Sequence, residues 1–291
     1  MFPCFKLRVT RELGRGIKVF VRLDGGITRG EVWDPQQQRI NAQARQLEQM
    51  RKKLSEKDQQ EALWEGGKDL AAWEAGKDHE VSFWERYLVT EGLYWPEDYK
   101  FRLDLEQPLQ SYVVRFLNAP PGTTVSILDV GAGPLTRLGK RWQGHTVHIT
   151  AVDPLADKYK RLLAEVGITP PVQTQPGEVE RLSELFSANR FDLVHMRNAL
   201  DHSYDPLLGI QQMLDVVKPK GYVVLRHVAN EGENEDYRGF HQWNFCADNG
   251  RFVIWNRNTR LSVNDALDGL AQITVEEIQG EILVGLRKGS G

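Results

Sequence analysis

Hydrophobic and polar positions change their period twice along the chain. Over residues 6–33 short alternating runs, KLRVTREL, IKVFVRL and ITRGEVW, are broken by Gly14, Gly16 and Asp24-Gly25-Gly26. Period-two runs with Asp-Gly between them predict a small antiparallel sheet. Residues 36–62 predict a helix, started by Asp34-Pro35. Ile40, Leu47 and Leu54 fall seven apart and Met50 takes the second d position, while polar Gln43 takes the first, beside Ala44. Such a short heptad pattern falls below the roughly three or four heptads that argue for a coiled coil. The helix therefore either docks on its own domain or forms a homodimer.

Trp64-Glu65-Gly66-Gly67-Lys68-Asp69 is echoed by Trp73-Glu74-Ala75-Gly76-Lys77-Asp78. A pair of copies is below the roughly three that a repeat architecture needs. The stretch from Phe83-Trp84-Glu85-Arg86-Tyr87 to Tyr94-Trp95-Pro96-Glu97-Asp98-Tyr99 is dense in rings. Two roles fit it: a lid over a ligand, or aromatic glue holding the extension to the main domain.

From about residue 124 the period alternates between strand and helix. VSILDV (125–130), HTVHITAVD (145–153), FDLVHMRN (191–198) and GYVVLRHV (221–228) predict strands. Residues 157–166 and LLGIQQMLDVV (207–217) predict helices. FVIWNRN (252–258) and ITVEEIQGEILVGLRK (273–288) add late strands, expected as antiparallel additions at the far edge. This order predicts an α/β fold, doubly wound, with helices on both faces of a mostly parallel sheet. Residues 1–110 read as an N-terminal extension and 111–291 as the main domain.

Composition narrows the function classes. Lys+Arg number 37 against 40 Asp+Glu, a net charge of −3, which implies no general affinity for nucleic acid or a membrane surface. Cys4 and Cys246 are the two cysteines, so there is no disulfide framework and no CxxC zinc pattern. No apolar run approaches the ~20 residues that cross a bilayer. A reducing cytoplasm is the expected compartment.

The strongest chemical signal is Ile127-Leu128-Asp129-Val130-Gly131-Ala132-Gly133-Pro134-Leu135, an apolar strand ending in a glycine turn expected to open a helix. Glycines let a ligand approach the backbone, and a helix N-terminus offers free N–H groups. Val152-Asp153 closes the second strand about 20 residues on, where doubly wound folds grip ribose hydroxyls. GxGxxG fails because position 136 is Thr, and the P-loop GxxxxGK[ST] is absent. The remaining Asp-x-Gly-x-Gly turn resembles motif I of the class I S-adenosylmethionine-dependent methyltransferases. Three further segments are similar to that family in the same order: Gly177-Glu178-Val179, FDLVHMRNALDHSYDP (191–206) and VVKPKGYVVLRH (216–227). The likeness covers roughly residues 110–288. It departs at Leu135, where the family often has a third glycine, after a proline that can begin a helix.

The resemblance implies a seven-stranded sheet and S-adenosyl-L-methionine as cofactor. Asp129, Gly131, Ala132 and Gly133 would hold its methionine end, Asp153 with Pro154 its ribose, and Glu178 its adenine. Asn198 would lie beside it at the end of the fourth-strand motif. Such chemistry needs an aligned acceptor and, where a proton must leave, a base. His202, His227 and His241 follow strand ends and are the candidate bases. Arg226, Glu231, Tyr237, Trp243 and Asn244 lie in or beside a run rich in polar groups and rings, a candidate acceptor pocket. Arg226 suits a carboxylate or phosphate. Each of these side chains also has a plain structural role open to it. The expected activity is methyl transfer to O or N of a small polar acceptor, with no metal. The alternatives are a macromolecular acceptor (protein or RNA) and a non-catalytic binding module. No stripe of basic and aromatic residues supports nucleic acid.

Overall fold

The computed structural model describes residues 7–10, 18–23, 26–31, 42–43, 45–50, 52–53 and 69–290. The chain divides into two units, Met1–Ala62 and Leu63–Gly291. In the first, β1 (Leu7–Thr10), β2 (Lys18–Leu23) and β3 (Gly26–Glu31) form an antiparallel sheet in the order β1-β2-β3. Leu23 pairs with Gly26, so the hairpin falls on the Asp-Gly signal. The described residues between 42 and 53 are helical, with Leu47 and Met50 exposed. Ile40, Ala44 and Leu54 lie outside the described residues, as do positions 64–68 of the first echo copy.

The second unit begins with α1 (Leu70–Val89). Asp69 caps it by accepting from the Ala72 N–H at 2.8 Å. The second echo copy lies inside this helix. Its Trp73 is buried, and a Cβ at Gly76 would stand 2.4 Å from the Phe240 ring. Helix α2 (Pro96–Leu103) starts on proline with Glu97 and Asp98 in its first turn, as the helix dipole favours. A single turn, α3 (Ser111–Val114), leads to the sheet.

Seven strands form that sheet: β4 (Thr124–Val130), β5 (Thr146–Asp153), β6 (Thr174–Pro176), β7 (Phe191–Arg197), β8 (Val217–Val228), β12 (Ala271–Ile278) and β13 (Glu281–Lys288). Their order is β12-β13-β8-β7-β4-β5-β6. The pairings from β8 through β6 are parallel, while β13 runs antiparallel to both neighbours. The connecting helices are α4 (Ala156–Glu165), α5 (Leu182–Leu185) and α6 (Pro206–Val216). Strand residues alternate between two cores. Leu128, Val194 and Val223 pack with Leu182, Ile210 and Met213 on one face; Ile127, Leu193 and Val224 pack with Val113 on the other. Burial on both faces explains why β4 and β7 read as near-continuous apolar runs.

The late strands split. Residues 273–288 form the expected edge hairpin, turning on Gln279-Gly280 with both φ positive. FVIWN does not reach that sheet. It is β10 (Arg251–Trp255), central in a separate sheet of order β11-β10-β9, with β9 (Asn244–Asp248) and β11 (Arg260–Ser262). Both edges of β10 are taken by strands close in sequence, and β13 is already covered by β12. Its inward Phe252 and Ile254 join the larger core instead. No helix among the described residues is long and apolar enough to cross a membrane.

Candidate active site

The strand order reverses direction around β4, whose neighbours are β5 on one side and β7 on the other. Open α/β sheets bind ligands at such a switch point, beyond the carboxyl ends of the strands. A cavity of about 640 Å³ lies there, within the range that holds small ligands. Asp129, Gly131, Ala132, Gly133, Asp153, Pro154, Glu178 and Asn198, the residues expected around a cofactor, all line it.

The glycine turn opens no helix, since residues 131–145 are irregular up to β5, and the neighbouring strand fixes it instead. The N–H groups of Gly131 and Ala132 both donate to the Val152 carbonyl, at 2.9 and 3.2 Å. Gly131 and Gly133 have φ of +65° and +64°, where other residues are strained. A Cβ at Gly131 would stand 2.4 Å from the Ala199 Cβ, and one at Gly133 would stand 2.7 Å from the Trp84 ring. Gly131→Ala is expected to lower stability by roughly 1–3 kcal/mol. Chemical denaturation measures it, and a loss below roughly 0.5 kcal/mol would show that the turn can relax.

Asp153 ends β5 with its carboxylate buried. It accepts from the Gly133 N–H at 3.0 Å and the Leu155 N–H at 2.9 Å. Burial nonetheless pushes this carboxyl up to about 7, with the Glu80 and Asp129 charges adding to the rise. Glu80 comes from α1 and takes the Trp84 indole N–H at 2.7 Å. Helix α1 thus forms one wall of the cavity with Trp73, Phe83 and Trp84, while Trp73 also packs on Tyr204 and Phe240. Of the aromatic segment, Phe83 and Trp84 line the cavity, and Trp84 packs on Tyr159 of α4.

Asp129 and His195 are register partners on β4 and β7, and their side chains bond at 2.7 Å. Tyr112 meets the other His195 nitrogen at 3.0 Å, and Thr136 donates to the second Asp129 oxygen. Sequence reasoning did not find His195, because only the cross-strand register brings it to Asp129.

A second cluster lines the same cavity. Asp201 Oδ2 lies 2.8 Å from His241 Nδ1 and 3.4 Å from His202 Nε2, and the two imidazoles are 3.3 Å apart. Burial pushes the Asp201 carboxyl up, but the His202 and His241 charges outweigh it and leave it at about 2. Burial lowers the His241 imidazole, yet the Asp201 bond and charge win and raise it. The three donor atoms lie within 4.8 Å of one another. Such a set can relay a proton, and its donor types also suit a divalent transition metal.

Other expected site residues lie elsewhere. His227 is fully buried against Phe245, with neither nitrogen partnered, and burial pushes it down to about 3. It does not line the cavity. Trp243 is core and donates to the Ser203 carbonyl at 2.9 Å. Asn244 is buried, donating to the Tyr237 hydroxyl at 2.8 Å and accepting from the Glu233 N–H at 2.7 Å. Trp243, Tyr237 and Asn244 thus brace the loop rather than face the cavity. Glu231 does face it, from the turn α7 (Glu231–Asn234). Arg226 lies outside it and is held by Glu281 on β13.

Residues 101–268 match the family model described as a methyltransferase domain. No curated protein matches the chain. Similar solved structures include the CurJ carbon methyltransferase, at 16% identity and TM-score 0.41, covering 60% of this chain and 50% of that one. An O-methyltransferase family protein from Burkholderia thailandensis is 12% identical with TM-score 0.43, covering 73% and 60%. A SAM-dependent methyltransferase from Aquifex aeolicus is 16% identical with TM-score 0.39, covering 64% and 92%. The chain spans half the length of the CurJ structure.

Proposed function

This chain belongs to the methyltransferase-domain family, its cofactor is S-adenosylmethionine, and from that premise we propose that it moves a methyl group to oxygen or nitrogen of a small polar acceptor. What supports this reading is one cavity lined both by the glycine turn, Asp153, Glu178 and Asn198 and by Asp201, His202 and His241.

The residues fit the cofactor on three counts. Gly131 and Gly133 hold the tight positive-φ turn and line the cavity, so a ligand there meets backbone rather than side chain. Asp153 is a buried carboxylate with lone pairs left for two hydroxyl donors. The cavity is large enough for a nucleoside with an amino-acid tail. Bound there, the cofactor supplies an already activated methyl group, so the hard chemistry is its own. Asp129 and the turn backbone would hold the amino-acid end, Asp153 with Pro154 the ribose, and Glu178 the adenine. The α1 rings Phe83 and Trp84 would exclude water from the same space.

Asp201 sets the Nδ1 side of His241, which leaves Nε2 as the atom free to take a proton. His241 is therefore the base we favour, with His202 beside it; His227 has no access to the cavity. A small acceptor is the reading we favour over a macromolecule because α1 side chains, Trp73, Glu80, Phe83 and Trp84 among them, take up part of the cavity wall. Titration calorimetry with S-adenosylhomocysteine tests the reading, with micromolar binding at one site expected. An absence of heat at high micromolar ligand would instead favour a non-catalytic binding module.

A further inference from the structure

A second cavity, of about 590 Å³, adjoins the first and shares Trp95, Asp98, Arg137 and Arg197 with it. Its remaining wall includes Tyr94, Phe101, Tyr112 and Arg226. Three guanidiniums from three distant parts of the chain therefore meet in one space. Arg197 and Arg226 are register partners at the carboxyl ends of β7 and β8. Arg137 follows the glycine turn.

The nearby carboxylates do not balance these charges. Asp98 is shared by Arg102 Nε at 2.6 Å and Arg137 Nε at 2.5 Å. Glu281 is shared by Arg197 Nη2 and Arg226 Nε, each at 2.8 Å. Four guanidiniums on two carboxylates leave two positive charges. Glu97 at the rim is exposed and already paired with Lys100 at 2.8 Å. Burial, with the Arg137 and Arg226 charges added, holds the Arg197 guanidinium below its usual range. Uncompensated charge in a partly desolvated place is unfavourable unless something answers it. Each guanidinium has five N–H donors, and the carboxylates above take one from Arg137, one from Arg197 and two from Arg226.

The other wall is aromatic. Tyr112 lies under Arg226, with the guanidinium carbon 4.6 Å from the ring centroid. Tyr94 and Trp95 stand edge to face at 6.0 Å and are 86% and 54% exposed, although both rings are large and Trp95 is apolar. Two adjoining exposed rings beside a cavity offer apolar surface that a ligand can cover.

We propose that this second cavity is the acceptor's binding site for an anionic group, a carboxylate or a phosphate, carried on a flat ring that the Tyr94, Trp95 and Phe101 wall covers while Arg137, Arg197 and Arg226 hold the anion. The inference rests on the methyltransferase reading, because the shared wall is what would point the acceptor toward the cofactor. Arg226 thereby has a ligand role one cavity away from the place the sequence suggests.

The test uses the full chain saturated with S-adenosylhomocysteine, which fills the cofactor's own site. Phenyl phosphate, benzoate and neutral benzyl alcohol are titrated separately. At least one anion is expected to bind, more weakly as salt rises, and benzyl alcohol is not. Preference between the two anions identifies the acceptor's group. Arg137→Gln and Arg226→Gln are each expected to weaken anion binding about tenfold or more, with the affinity for S-adenosylhomocysteine changed less than about twofold. Failure of both anions to bind, or binding unaffected by both substitutions, overturns the proposal. So does anion binding that S-adenosylhomocysteine abolishes, joined to weaker S-adenosylhomocysteine binding in the variants; the arginines would then serve the cofactor's own carboxylate. If S-adenosylhomocysteine does not bind the unaltered protein at all, the methyltransferase reading falls separately. Anion binding lost in both variants would then still support the pocket.

Discussion

Asp153→Ala is expected to weaken S-adenosylhomocysteine binding about 100-fold at pH 8. Each ribose hydroxyl donated to an ionised carboxylate contributes roughly 1.5–3 kcal/mol, and a tenfold change in affinity is about 1.4 kcal/mol. Two such bonds, less some compensation by water, give that magnitude. The same carboxylate answers the backbone N–H groups of Gly133 and Leu155, so the variant is also less stable. Circular dichroism checks that it stays folded, and Asp153→Asn offers a closer match in shape. The carboxyl has a second signature. Burial raises it to about 7, and hydroxyl donors favour its ionised form, so affinity should increase as pH rises through 7. A group with a pKa near 7 is about one-tenth ionised at pH 6, which predicts up to about tenfold weaker binding there than at pH 8. The Asn variant should lose this dependence. Stability runs the opposite way. The folded state holds the Asp153 proton more tightly than the unfolded chain, so this group's contribution is full below about pH 4 and is lost as pH rises to about 7. Equal affinity at pH 6 and pH 8 in the unaltered protein, or unchanged affinity in both variants, would remove Asp153 from the ribose site.

The wall we assign to the cofactor was legible because it is local. Strand, glycine turn and the acid closing the next strand lie within 30 residues, and each strand ends in a continuous buried run. The rest of the cavity wall depends on contacts far apart in sequence. His195 reaches Asp129 only through β4–β7 register. Arg137 and Arg197 meet across the glycine turn and β7, and Glu80 and Trp84 arrive on a helix that precedes the sheet. One misplaced expectation was open to correction from the sequence alone. Arg226 and His227 are neighbours on a strand, so their side chains must leave opposite faces. Arg226 shares its face with Val224, above Tyr112, and His227 shares the other with Leu225, against Phe245. They were never able to serve one pocket. Trp243 and Asn244 misled for a different reason: polar and aromatic composition cannot distinguish a loop that binds from a loop that must be braced.

Substitution at His241 is expected to have the larger kinetic effect. His241→Ala should lower kcat by about 10²–10⁴-fold, the usual contribution of a positioned base, with cofactor affinity changed little. His202→Ala should cost less, because its Nε2 faces Asp201 and His241 rather than the open cavity. Asp201→Asn separates positioning from proton transfer. In the unaltered protein, Asp201 raises the His241 imidazole, so activity should climb with pH as that proton leaves, above the ordinary histidine range. The Asn variant withdraws both the charge and the preference for an Nδ1 proton. Its turnover should fall, while the acid limb of its pH profile moves to lower pH. A merely structural Asp201 would lower the amount of active protein without moving that limb. The same donor set could hold a divalent cation, and a chelator distinguishes the two uses. A proton relay works equally well in EDTA; activity lost to EDTA and restored by a divalent metal would make Asp201, His202 and His241 ligands instead. An unaltered kcat in His241→Ala would end its assignment as the base, and the remaining reading would be an acceptor that arrives already deprotonated.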